Sequence, residues 1–136
     1  MKKKRIFISL GVIIVAVIII WQIYEAYCSS GSSGLDYDID KNGKTCSISG
    51  LGYCTDDYIQ IPSKIDGYKV TSIQEYAFTQ FVGGPLDIKG VVVPNSVKYI
   101  GEAAFSDCSY MLYITLPNSI EYIGAHAFQG CEWLDE

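Results

Sequence analysis

The chain has 136 residues, 10 Lys plus Arg against 15 Asp plus Glu, and a formal net charge of −5 at pH 7. Residues 29–136 alone hold 6 Lys, no Arg and 14 Asp plus Glu, a balance of −8. An acidic surface without arginine argues against nucleic acid and against an anionic membrane surface as partners, and about 100 residues suffice for one thin domain.

The first five residues, Met1-Lys-Lys-Lys-Arg5, form a basic tail, and residues 6–24 carry no charge and only two clearly polar side chains, Ser9 and Gln22. Nineteen helical residues at about 1.5 Å each span roughly the 30 Å of a bilayer's hydrocarbon core. A transmembrane signal-anchor helix is therefore predicted over 6–24. Residues 1–5 should stay cytoplasmic, Trp21 and Tyr24 should sit at the outer interface, and the remainder should be extracellular. The competing readings are a cleaved signal peptide, for which residues 25–28 offer no small-x-small site, and lipid attachment at Cys28, where bulky Tyr27 precedes the thiol. Residues 25–34 contain Ser29-Ser-Gly-Ser-Ser-Gly34, a flexible linker that reaches only about 14 Å.

Residues 35–58 come next. Asp36, Asp38 and Asp40 alternate with Tyr37 and Ile39 and lead to Asn42-Gly43, which reads as a solvated strand face entering a hairpin turn. A calcium loop would place its glycine and a later glutamate at other offsets. Cys46 and Cys54 flank Gly50-Leu-Gly52; in an exported domain they are candidates for a disulfide, the alternative being two free thiols. No C-x-x-C or Cys/His cluster supports zinc, and no cofactor motif is present.

From residue 59 onward the chain repeats itself. Val91 to Cys108 and Ile114 to Cys131 align without a gap at an offset of 23, pairing Pro94 with Pro117, Ile100 with Ile123, Phe105 with Phe128 and Cys108 with Cys131. A looser copy precedes them, in which Ile59-Gln-Ile-Pro62, Val70 to Ile73 and Ala77-Phe78 match, with insertions at 64–69 and around Gly83-Gly84-Pro85. A fixed period in the low twenties marks a solenoid, in which each copy buries its apolar face against its neighbours. The repeats are placed at 59–86, 87–112 and 113–136. The two close copies each have a short strand ended by proline, a turn through Asn-Ser, and a second short strand. Glu102 to Phe105 and Ala125 to Phe128 are predicted to form a brief helical turn that drops the phenylalanine inside. Phe78, Phe105 and Phe128 should stack as a ladder, and Cys108 and Cys131 should be small buried hydrophobes of another ladder. A disulfide between those two would need favourable geometry across adjacent coils.

No catalytic constellation stands out. The single histidine, His126, aligns with Ala103 and Tyr76, a slot with no side-chain requirement, and no nucleophile lies beside it. The outward positions of the stack are the candidate binding surface. Gln60, Val92 and Thr115 form one ladder and Thr71, Lys98 and Glu121 a second, with Tyr99 and Tyr122 beside it. Tyrosine gives large contact area at low entropic cost, but Tyr99 and Tyr122 stacking only on each other is an equal alternative.

These motifs resemble a known family. The pattern I-P-x-S-[IV]-x-x-I-[GQ]-x-x-A-F-x-x-C is similar to the BspA-type leucine-rich repeat of cell-surface proteins, and Leu35 to Tyr53 resembles the hairpin that opens such arrays. The resemblance covers about residues 35–134, with Gln74 and Phe81 departing from the pattern in the first copy. It implies a mainly β solenoid of about three repeats, preceded by a β-hairpin cap and the predicted membrane helix. It further implies a membrane-anchored extracellular protein that binds other proteins or glycoproteins, or mediates adhesion, without catalysis. Two other expectations follow from the last copy, which carries no polar cap: the chain is a piece of a longer array, or the open coil associates with a second copy.

Overall fold

In the computed structural model, residues 31–80 and 86–134 are described. The membrane helix predicted over 6–24 lies outside them, and among the described residues no helix is long and apolar enough to cross a membrane. Nine short strands follow one another: β1 (Asp36–Ile39), β2 (Thr45–Gly50), β3 (Tyr58–Gln60), β4 (Lys64–Ile65), β5 (Tyr68–Ile73), β6 (Gly90–Val92), β7 (Tyr99–Ile100), β8 (Tyr113–Thr115) and β9 (Tyr122–Ile123).

They form two sheets. One runs β3-β6-β8, and the other runs β1-β2-β5-β7-β9 with β4 paired to β5. Successive coils are parallel and in register, Ile59 beside Val91 beside Ile114 in the first sheet and Ile73 beside Ile100 beside Ile123 in the second. This is a β-solenoid of about three turns, with apolar residues of both sheets sharing one core. Proline after the first strand and the Asn-Ser turn after it keep each strand short and return the chain to the other sheet.

The hairpin supplies the first rung. Strands β1 and β2 are antiparallel, with a bulge between Asp36 and Tyr37, and β2 then pairs in parallel with β5. The turn consumes the Asp40 carboxylate, which accepts from Thr45 Oγ1 at 2.5 Å and Ser47 Oγ at 2.8 Å. Gln74, the departure from the repeat's glycine, stands where the stack meets this hairpin. Its N–H donates to the Ile48 carbonyl at 2.8 Å and its side chain to Asp38 Oδ2 at 2.9 Å. At the equivalent position Gly101 has no such freedom, because a Cβ there would lie 2.4 Å from the Glu75 nitrogen of the coil before.

The third side of each coil is not helical. The predicted helical turns at Glu102–Phe105 and Ala125–Phe128 are replaced by turns whose N–H groups point to the next coil. Phe78 N donates to Ala104 O at 2.7 Å, Phe105 N to Ala127 O at 2.8 Å and Asp107 N to Gln129 O at 2.7 Å. Tyr76, Ala103 and His126 make this possible by adopting φ of 59°, 50° and 58°, a left-handed conformation incompatible with a right-handed helical turn. The slot that accepts any side chain therefore makes a demand on the backbone instead.

The phenylalanine ladder lies inside this wall. Phe78 and Phe105 stack with centroids 5.0 Å apart and planes 3° apart, and Phe105 and Phe128 at 5.6 Å and 6°. Face-to-face stacking is not the arrangement isolated rings prefer, but the spacing between hydrogen-bonded coils, about 4.8 Å, imposes it. Phe78 and Phe105 are fully buried, while Phe128 in the third coil is only partly covered.

Two outcomes test this packing. Phe105→Ala should cost about 3–5 kcal/mol in urea unfolding, because a ring between two rings leaves a cavity that neither neighbour can fill. Ala103→Gly should raise stability by about 0.5–1 kcal/mol in the same measurement, since glycine takes the left-handed conformation without a Cβ penalty.

Candidate binding faces and the repeat family

The two predicted ladders occupy different sheets. Gln60, Val92 and Thr115 are in register across β3, β6 and β8 on the three-stranded sheet. Thr71, Lys98 and Glu121 are joined on the other sheet, Lys98 N donating to Thr71 O at 2.9 Å and Glu121 N to Lys98 O at 2.8 Å. Both point away from a shared core, so they make two faces rather than one.

On the larger sheet, the pairing of β2 with β5 skips Thr71, since Cys46 stands opposite Val70 and Ser47 opposite Ser72. That bulge turns two adjacent residues outward, and later coils keep the shape, with Lys98 and Tyr99 exposed between buried Val97 and Ile100. Tyr122 stands opposite Tyr99 in the β7–β9 pairing. The Tyr99 hydroxyl donates to Glu121 Oε2 at 2.9 Å, and Lys98 Nζ meets Glu121 Oε1 at 2.6 Å. The ammonium and then the phenol hold the Glu121 carboxyl below its usual value, and the same hydrogen bond raises Tyr99. This face is thus internally satisfied, its polar groups turned to one another across a coil boundary.

The three-stranded face is different. Two positions before the predicted Gln60–Val92–Thr115 ladder lies a second row, Tyr58, Gly90 and Tyr113, on the same side of the sheet. The tyrosines are two coils apart, yet their ring centroids are 6.3 Å apart and their planes 25° apart. They meet because Gly90 has no side chain between them; a Cβ there would lie 2.5 Å from Tyr113 Cζ. Tyr58 and Tyr113 remain 52% and 44% exposed, so the pair is a preformed apolar platform open to solvent. Asp57 and Lys89 form an ion pair of 2.6 Å at its margin, which lowers the Asp57 carboxyl and raises the Lys89 ammonium. The aligned copies start at Ile59, Val91 and Ile114, one residue inside the strands, so the alignment does not contain this row. The available signal was parity, since Tyr58 and Tyr113 each precede an outward residue by two.

Cys46 and Cys54 are both buried, and the structure sets them apart along β2. Cys46 stands near the start of β2, and Cys54 is held beyond its other end by a hydrogen bond from its N–H to Leu51 O. Four residues of strand at about 3.3 Å each already exceed the roughly 7 Å over which a disulfide can reach. Among the described residues no group of three or more His, Cys, Asp and Glu is placed to hold a metal ion. His126 is exposed on its left-handed turn.

Stacked parallel coils with an inward phenylalanine and cysteine define a leucine-rich-repeat solenoid, and residues 71–136 match the family described as BspA type leucine rich repeat region. The repeat region of the chain belongs to that family, one of generally non-catalytic binding proteins. The chain is similar to the crystal structure of a leucine rich repeat protein of T. pallidum, with 30% identity and a TM-score of 0.66 over 74% of this chain and 45% of that one. A leucine rich cell surface protein of Faecalibacterium prausnitzii matches in fold, at 22% identity and a TM-score of 0.63 over 75% of this chain and 28% of that one. A leucine-rich repeat protein of Bacteroides capillosus matches at 27% identity and a TM-score of 0.51, over 66% of this chain and 83% of that one. The chain spans less than half the length of the first two. Comparison with curated proteins gave no match.

Gly90→Ala should push the Tyr113 ring off Tyr58 at small cost, under about 1 kcal/mol, because the displaced atoms are the free end of a side chain. The near-ultraviolet circular dichroism of tyrosine should change while the urea midpoint stays close to that of the unsubstituted chain.

Proposed function

We propose that the chain is a non-catalytic module that binds a protein or glycoprotein outside the cell, held at the membrane by its N-terminal segment, and that it binds through the outer face of the three-stranded sheet. The observation that carries the choice of face is the Tyr58–Tyr113 platform over Gly90. Exposed, rigid aromatic side chains supply binding energy with little entropy to lose, and residues of this type dominate measured interfaces. Val92 adds an apolar centre, and Gln60 and Thr115 flank it with hydrogen-bonding groups. The larger sheet is the weaker choice, because Lys98, Tyr99 and Glu121 already satisfy one another and would have to be desolvated together.

The anchoring rests on sequence alone: a basic tail followed by nineteen uncharged residues fits a signal-anchor helix. The family supports binding as the activity, and the cell-surface protein of F. prausnitzii supports the location.

The binding assay is surface plasmon resonance of the purified chain against extracellular-matrix glycoproteins and cell-surface proteins. A ligand whose affinity falls tenfold or more with Tyr113→Ala, and is unchanged with Lys98→Ala, is the expected result. Equal sensitivity to both substitutions, or to Lys98→Ala alone, would move the site off the three-stranded face. In a separate experiment, the expressed chain should stay in the membrane fraction through an alkaline carbonate wash; release would remove the anchor from the proposal.

A further inference from the structure

Cys108 and Cys131 occupy one slot in successive coils, and the structure sets them on adjacent rungs. The backbones leading to them are tied, Phe105 N to Ala127 O at 2.8 Å and Asp107 N to Gln129 O at 2.7 Å. At about 4.8 Å between coils, their Cα atoms fall inside the 4.4–6.8 Å span in which disulfides form. Each thiol takes the same rotamer, donating to the phenylalanine carbonyl of the coil before: Cys108 Sγ to Phe78 O and Cys131 Sγ to Phe105 O, both at 3.2 Å. Two equivalent rotamers on adjacent rungs stack the two sulfurs one over the other. Cys108 is 1% exposed, whereas Cys131 is partly open to solvent.

We infer that Cys108 and Cys131 form a redox-sensitive clasp, a dithiol that closes to a disulfide by exchange with a small-molecule disulfide and ties the third coil to the second. Their inequality sets the order of events. Interaction with Cys108 holds the Cys131 thiol below its ordinary value, and the same interaction, followed by burial, pushes Cys108 up. Cys131 is thus the attacking sulfur, because it is the one reachable from outside. Its thiolate attacks one sulfur of the small disulfide, forming a mixed disulfide and expelling one thiolate. Cys108 then loses its proton to that thiolate and attacks Cys131 Sγ, and the second small thiolate leaves and is protonated by water. In net terms two protein thiols are oxidised, one small disulfide is reduced, and two small thiols are released. The other cysteines of the described region do not compete, since Cys46 and Cys54 lie at opposite ends of β2.

The chain's own methionines make the test direct. Met1 and Met111 are its only two, so cyanogen bromide separates Cys108 from Cys131, and Cys131 becomes the single cysteine of fragment 112–136. The full chain is incubated with oxidised glutathione, quenched with acid, cleaved and weighed with and without reductant. Fragment 112–136 should stay joined to the larger fragment until reductant is added, and should be free in Cys108→Ser, carrying one glutathione. A double variant, Cys46→Ala with Cys54→Ala, keeps the test decisive should Cys108→Ser fail to fold, because the link must persist in it. A free fragment from the unsubstituted chain, or glutathione that stays on Cys131 there, overturns the clasp. So does a link that survives Cys108→Ser or vanishes in the double variant.

Discussion

The spacing between coils governs everything else in this molecule. Backbone hydrogen bonds on all sides of the stack hold successive turns in register, and no turn has enough apolar surface to bury itself. Phe105 is buried because Phe78 and Phe128 lie on either side of it at that repeat distance. Gly101 and Gly124 are required by the same closeness, each approaching the backbone of the coil before. Stability is therefore a nearest-neighbour property, highest at the middle coil. The third coil, which has a neighbour on one side only among the described residues, leaves Ile123 43% exposed where Ile100 is fully buried.

Much of this is legible in the sequence because the repeat writes each demand more than once. The strands, the inward isoleucines and phenylalanines and the register all follow from aligning 91–108 with 114–131. What escapes alignment is whatever depends on the backbone between coils. The segment after Gly101 looks helical because alanine and glutamate favour helices, yet Ala103 is left-handed and its neighbours bond to another coil. Local propensity lost to a set of inter-coil hydrogen bonds that no short window contains.

The candidate site was half legible for a similar reason. Outward parity picks out Gln60, Val92 and Thr115, and the structure aligns them. Tyr58 and Tyr113 belong to no repeat consensus, and the residue between them is a glycine. An absent side chain is what lets rings two coils apart touch. On the second predicted face, Thr71, Lys98, Glu121, Tyr99 and Tyr122 lie on one sheet, where Lys98, Tyr99 and Glu121 are bonded to one another.

The hairpin that starts the stack has an effect beyond supplying a first rung. Among the described residues its outer strand β1 has no strand on its far side, which leaves the kind of edge along which folded chains join into aggregates. Asp36 and Asp38 are exposed along that edge, and the bulge at Asp36–Tyr37 bends it out of regular pairing. Two copies approaching there would set carboxylate against carboxylate over a ladder that cannot align. The acidity of this short strand thus protects the solubility of a fold whose every interior contact depends on strands lying side by side.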